Sequence, residues 1–205
     1  MPDLSLVWAP NLFQKGGCIF MLKKRDLLEV PVLFELSTHP DVYPYIRHKA
    51  NTVDKFYFLT KQVIEAEHNG ELISRTIFDE YEQPIGTIGL YEIYKKGGFL
   101  ATWVGKPYFG KGYNKIAKQQ FLDELFFSLD IETVFMKVRK TNLRSLKAIS
   151  KMSYIENANE LNPDVYRSIN KNGEEYDLFV ITKEHYASCM QFALLAAKAS
   201  TEVVS

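Results

Sequence analysis

The chain has 205 residues, enough to bury one domain core and short for two. Apolar residues make up 46% and charged residues 24%, and with 2 Trp, 12 Tyr and 14 Phe the chain is too rich in core formers to be disordered over most of its length. Lys plus Arg and Asp plus Glu both number 25, and zero formal charge argues against a nucleic-acid coat or a polybasic membrane binder.

Cys18 and Cys189 sit near opposite ends, with no CxxC pair, which fits a reducing, cytoplasmic setting. No apolar run approaches the roughly 20 residues that span a bilayer. The start, Met1-Pro2-Asp3, lacks the basic region of a signal peptide. His39, His48, His68 and His185 show no metal-ligand spacing and read as surface or loop residues, so no metal site is expected.

In chain order, residues 1–17 are irregular and read as an N-terminal extension, with the domain proper over 18–184. Cys18 to Leu22 predicts a first strand, and residues 26–37 a helix broken after His39-Pro40. A second helix is predicted from Val53 to His68, with Asn51, Thr52 or Asp54 as N-cap and Asn69-Gly70 as stop. Leu72–Phe78, Ile85–Tyr94 and Phe99–Val104 predict an antiparallel meander, with an acidic turn at Asp79–Pro84 and a tight turn at Gly97-Gly98. A helix from Tyr113 to Leu129 follows, with Ala117, Phe121, Leu125 and Leu129 as its apolar stripe. Thr133–Val138 predicts a strand, and Asn142 an N-cap for a helix to about Met152. Val165–Ile169 and Tyr176–Thr182 flank Asn172-Gly173 and predict a hairpin. Residues 185–205 read as a helical extension past the domain, with Met190, Leu194 and Ala197 on one side.

The sharpest local feature is the loop Gly105-Lys106-Pro107-Tyr108-Phe109-Gly110-Lys111-Gly112, between a strand and a helix. Glycines let several amides point one way, and the helix adds the positive end of its dipole, a recipe for holding a phosphate or pyrophosphate. Lys106, Lys111, Lys115 and Lys118 make this segment basic, and Lys137, Arg139, Lys140, Arg144, Lys147 and Lys151 do the same for a second one. The stretch between holds Asp123, Glu124, Asp130 and Glu132 and no basic residue. If the two strands are neighbours, both basic junctions open at one sheet edge, where a ligand with several phosphates would be held. The loop nearly matches GxxxxGK, but Gly112 stands where a magnesium-holding Ser or Thr belongs, which argues against an NTPase.

The ordered set of Trp103, Gly110-Lys111-Gly112-Tyr113, Asn142 with Ser145, and Lys151-Met152-Ser153-Tyr154 resembles the GNAT N-acetyltransferases, and among them the RimJ/RimL-like group. Asn114 with Lys118, and Asn172-Gly173 before Asp177, add to the resemblance, which covers 18–184. It implies an α+β fold: a central, mostly antiparallel twisted sheet flanked by helices, with strands splayed at an acetyl-CoA site. It implies acetyl-CoA as co-substrate, with the pyrophosphate on amides of Phe109, Gly110, Lys111, Gly112, Tyr113 and Asn114. The pantetheine arm would pair with Trp103 and Val104 and meet Asn142, with Ser145 near the sulfur. By the same resemblance the Val104 amide would stabilise the oxyanion. The pattern departs at Ile149, where many relatives carry a general-acid Tyr, at Ser153 in place of a Gly, and in the absence of an acid over Phe99–Thr102. Ser145 is then the candidate proton donor to the thiolate and Glu92 the candidate base, directly or through a water. Asp79, Glu80 and Glu82 could attract a cationic amine or simply form a solvated turn.

The resulting expectation is direct transfer of an acetyl group to a primary amine, whether a protein N-terminus, a polyamine or another small amine, by a chain that could form a homodimer. Two alternatives stand beside it: a non-enzymatic acyl-CoA-binding module, and a nucleotide or nucleic-acid binder using the basic segments.

Overall fold

A computed structural model of the protein describes residues 21–202 except 172 and 174; the side chains of Met21 and of 197–202 also lie outside the description. The expected extension over 1–17, Cys18, the Asn172 turn position and the Ala197 side chain therefore fall outside the described residues.

The described strands form one sheet: β1 (Met21–Lys24), β2 (Ile73–Phe78), β3 (Pro84–Tyr94), β4 (Gly97–Val104), β5 (Thr133–Arg139), β7 (Tyr176–Thr182) and the two-residue β6 (Glu156–Asn157), in the order β1-β2-β3-β4-β5-β7-β6. All neighbours are antiparallel except β4 and β5, which run parallel. The helices are α1 (Val30–Ser37), α2 (Val53–His68), α3 (Tyr113–Phe127), α4 (Leu143–Ile149), α5 (Pro163–Ile169) and α6 (Lys183–Glu202). The expected fold class is the one observed.

Local chemistry sets the elements. Thr52 caps α2 by accepting from the Lys55 amide at 3.2 Å, and Phe56, Thr60 and Val63 recur on its buried face. Asp79 closes the β2–β3 turn, its Oδ1 accepting from the Tyr81 and Gln83 amides at 3.0 and 2.9 Å. Asp79 is buried in this role, while Glu80 accepts from the Tyr113 hydroxyl and Glu82 pairs with Lys23, so the acidic turn is occupied structurally.

Side chains on the two faces of β4 go to different layers. Trp103 packs with Val30, Leu33 and Phe56 of α1 and α2. Leu100 and Val104 join the larger core with Phe121, Leu122 and Leu125 of α3. This period-two division places α1 and α2 on one side of the sheet and α3 on the other.

Four expectations change. The β3–β4 turn is Lys95-Lys96, both at positive φ (46° and 61°), as two-residue hairpin turns require. Gly97 and Gly98 are the first residues of β4, where a Cβ on Gly98 would lie 2.8 Å from the Tyr91 carbonyl oxygen. Val165–Ile169, expected as a hairpin strand, lies in the helix α5, started by Pro163 at its first position; β7 instead pairs with β5 and β6. α3 ends at Phe127, and Leu129 is exposed beyond the stripe. The domain boundary at 184 cuts through the core: Tyr186 is fully buried, its hydroxyl donates to Asp123 at 2.8 Å, and Cys189 and Met190 pack on the same cluster.

Candidate active site

The parallel β4–β5 pairing ends at Phe99 opposite Phe135, although β4 continues to Val104 and β5 to Arg139. The strands splay there. On the other side of β4 the ladder with β3 continues, and the Gly105 amide donates to the Ile85 carbonyl at 2.7 Å. Alternation along an antiparallel ladder then turns the backbone groups of Leu100, Thr102 and Val104 away from β3, toward the gap.

A cleft of about 830 Å³ opens at the splay. β4, from Phe99 to Val104, forms one wall and Met136 to Arg139 of β5 the other. The loop residues Tyr108, Phe109, Gly110, Gly112, Tyr113 and Asn114 close one end, and Asn142, Ser145, Ala148 and Ile149 flank it. The cofactor residues expected from the sequence thus line one cleft, apart from Lys111, whose ammonium lies over the Tyr108 ring instead.

Gly112 is the N-cap of α3 at φ +91°, and it brings no side chain to the first-turn amides of the helix. At Gly110 and Gly112 an added Cβ would meet nothing within 4 Å, so these glycines serve backbone conformation and leave open space above the loop. Asn142 caps α4 by accepting from the Ser145 amide at 3.2 Å, which leaves its side-chain NH₂ to other partners. Both basic segments reach this cleft, through Lys115 and Lys118 on one side and Lys137, Arg139, Arg144 and Lys151 on the other. The Arg144 guanidinium stacks on Phe109, 3.8 Å from the ring centre. Among the described residues no carboxylate lines the cleft.

Lys118 stands apart from the other cations. It lies one turn after Asn114 on α3, is almost wholly buried, and burial lowers its pKa to about 8. Among the described residues it has no ion-pair partner.

A smaller cavity of about 40 Å³ branches from the cleft on the α2 side and shares Tyr45, Ile46, Arg47, Ala101, Thr102 and Trp103 with it. Arg25, His48, Thr60, Thr87 and Tyr91 complete much of its lining, again without a carboxylate among the described residues. Burial lowers the His48 pKa, with Arg47 and Arg25 adding to the shift.

Glu92 lies elsewhere. It sits at φ 55° in the bulge after Tyr91, and its carboxylate accepts from Arg47 at 2.5 Å. Val104 faces Gly86, six residues back along β3 and roughly 20 Å away at the rise of an extended strand. The structure does not bring Glu92 and the Val104 amide to one carbonyl. Neither cavity includes Glu92 in its lining.

A family model described as an acetyltransferase (GNAT) domain matches residues 21–154, more than half of the chain. This chain belongs to the GNAT acetyltransferase family. A curated relative, an uncharacterized N-acetyltransferase p20 of Bacillus licheniformis, is 26% identical over 140 residues, covering 65% of this chain and 77% of that protein. Among solved structures, a spermidine N-acetyltransferase from Vibrio cholerae in complex with CoA and spermine superposes at TM-score 0.65 with 13% identity, over 82% of this chain and 98% of that one. An apo nucleotide-linked sugar GNAT superposes at 0.66 with 18% identity, over 85% and 93%. At such identities the structures show a shared fold.

GNAT proteins bind acetyl-CoA or CoA, and the residues of this GNAT chain fit such a group. The cleft is large enough for an extended ligand, the Gly112 cap leaves helix amides uncapped by side chains, and cations line both walls. The sequence shows the Gly loop and Asn142 because both are local signals. It does not show Arg25 and His48, which lie far apart in sequence and share no motif spacing. Among the described residues no cluster of His, Cys, Asp and Glu could hold a metal ion, and no helix is long and apolar enough to cross a membrane.

Proposed function

We propose that this GNAT acetyltransferase moves the acetyl group of acetyl-CoA to a primary amine by direct transfer in a ternary complex. The observation that carries the reading is the splay of β4 from β5 beyond Phe99, which leaves outward-turned β4 backbone along a cleft lined by cations. In this reading amides from Phe109 to Asn114 hold the pyrophosphate, and Lys111 adds charge at the rim. Val104, with Thr102 before it, offers backbone partners to the pantetheine arm, whereas the backbone of Trp103, expected in that role, faces β3; Asn142 offers its side-chain NH₂. Bound acetyl-CoA supplies the activated acyl group and a thiolate leaving group.

The chain's own groups do the rest. The Val104 amide, turned into the gap, is the oxyanion donor. Two groups can deliver a proton into the cleft: the Ser145 hydroxyl and the Lys118 ammonium, whose pKa of about 8 lies near that of a thiol. Glu92 holds Arg47, and in this reading it can take the amine proton only through a water.

An acyl-CoA-binding module without turnover is the second reading, favoured by Ile149, whose apolar side chain stands at the cleft wall where a general acid would serve. A nucleotide binder has less support, because the strand entering the Gly loop pairs antiparallel with β3. Release of free thiol from acetyl-CoA across a panel of amines tests the proposal. Amine-dependent release supports it, and acetyl-CoA binding with no release from any amine supports the binding module.

A further inference from the structure

Resting on the transferase reading, we infer that the acceptor amine carries an anionic group, a carboxylate or a phosphate, that seats on Arg25 in the small cavity beneath α2. The Arg25 side chain is only 6% exposed, and its Nε is a buried donor with no hydrogen-bond partner. Glu29 is the nearest acid, at 4.0 Å, beyond hydrogen-bond range. Its carboxylate is already engaged, accepting from Thr76 Oγ1 and the Asp26 amide. A buried guanidinium with open donors costs several kcal/mol, and its planar fork matches a carboxylate or phosphate.

Three further observations point the same way. His48 Nε2 is also buried without a partner, and His48 lines the same cavity. The cavity measures about 40 Å³, room for roughly three waters on the same measure, so it suits a compact headgroup rather than a chain. Among the described residues neither the cavity nor the cleft has a carboxylate in its lining, so a polycation would meet only like charge. Arg47 at the shared rim is held by Glu92 and stacks on Tyr91, 4.6 Å from the ring centre. It adds positive charge at the entrance. Phe56, Leu59 and Trp103 give the acceptor's carbon body an apolar wall.

The test uses amines matched except for the anion: L-phenylalanine against phenethylamine, glucosamine 6-phosphate against glucosamine, and spermidine as the polycation. Binding is measured by calorimetry and thiol release in the presence of acetyl-CoA, for the wild type, Arg25→Gln and Arg25→Lys. In at least one pair the anionic member is expected to win by about tenfold or more, an advantage that Arg25→Gln removes and Arg25→Lys partly keeps. The pair that responds tells carboxylate from phosphate. If neither variant folds, the wild-type pairs decide alone. Spermidine or the neutral amines matching the anionic ones, an Arg25→Gln variant with an unchanged ratio, or binding by none of the five overturns the inference. Arg25-dependent binding without thiol release supports the anion site and rejects the transferase reading. Thiol release from spermidine or phenethylamine, independent of Arg25, does the reverse.

Discussion

Arg75 and Arg25 are both buried arginines on the edge of the α2 layer, and their surroundings differ completely. Arg75, on β2, donates to both oxygens of Glu124 on α3, to Glu67 on α2 at 2.5 Å and to the Ser74 carbonyl at 2.6 Å. Burial alone would lower its pKa, but Glu124 and Glu67 outweigh that and the net shift is upward. Arg25 has only Glu29 at 4.0 Å, and burial lowers its pKa against weaker pulls from Tyr91, Glu29 and Glu67. One arginine is a structural tie between two helices. The other has the same charge and similar burial, but its Nε has no partner and its side chain lines a cavity, as a binding group would before its ligand arrives.

Two substitutions press on that contrast. Arg75→Met strips Glu67 and Glu124 of their shared counter-charge and is expected to cost about 3–5 kcal/mol in urea unfolding. Arg25→Met removes a buried charge with no hydrogen-bonded partner and is expected to gain about 2–4 kcal/mol in urea unfolding. Equal losses from the two variants would erase the distinction.

Lys118 extends the comparison to the cofactor side, as a second buried cation facing a cavity. Its folded pKa of about 8 lies below the ordinary 10.5, so between those values the unfolded chain holds more protons and stability rises with pH. Below about pH 8 the full penalty is present. Lys118→Met is expected to gain about 2–3 kcal/mol at pH 7 and to lose the rise between pH 8 and 10.5. A wild-type stability profile that is flat over that window contradicts the unpaired amine.

The smallest effect belongs to Gly112. An alanine there meets no atom within 4 Å, so Gly112→Ala is expected to cost only about 1–2 kcal/mol of backbone strain at φ +91°. Its effect on acetyl-CoA affinity, read by calorimetry, is expected to exceed that on stability, because the φ change re-aims the loop amides.

The same division separates what the sequence makes legible from what it hides. The Gly loop, the Asn142 cap, the α2 cap at Thr52 and the strands of the meander are written in adjacent residues, where turn and cap chemistry act. The Lys95-Lys96 turn was hidden because two lysines at positive φ are a poor local signal. The glycines beside them serve close strand approach instead. The helix at 163–169 was hidden by the stronger-looking Asn172-Gly173 signal, and the core role of Tyr186 by its place past the last strand. The Arg25 cavity depends on the approach of a segment before α1, a loop before α2 and the face of β3 and β4, and no spacing in the sequence records that meeting.

The most direct measurement is a thermal-shift titration with acetyl-CoA, beside Mg-ATP. At about 100 times its dissociation constant a bound ligand stabilises by roughly 2.7 kcal/mol, a shift of several degrees for a domain of this size. Stabilisation by acetyl-CoA and none by Mg-ATP is the predicted result. No shift with acetyl-CoA, or an equal one with Mg-ATP, would contradict the assignment of the splayed cleft.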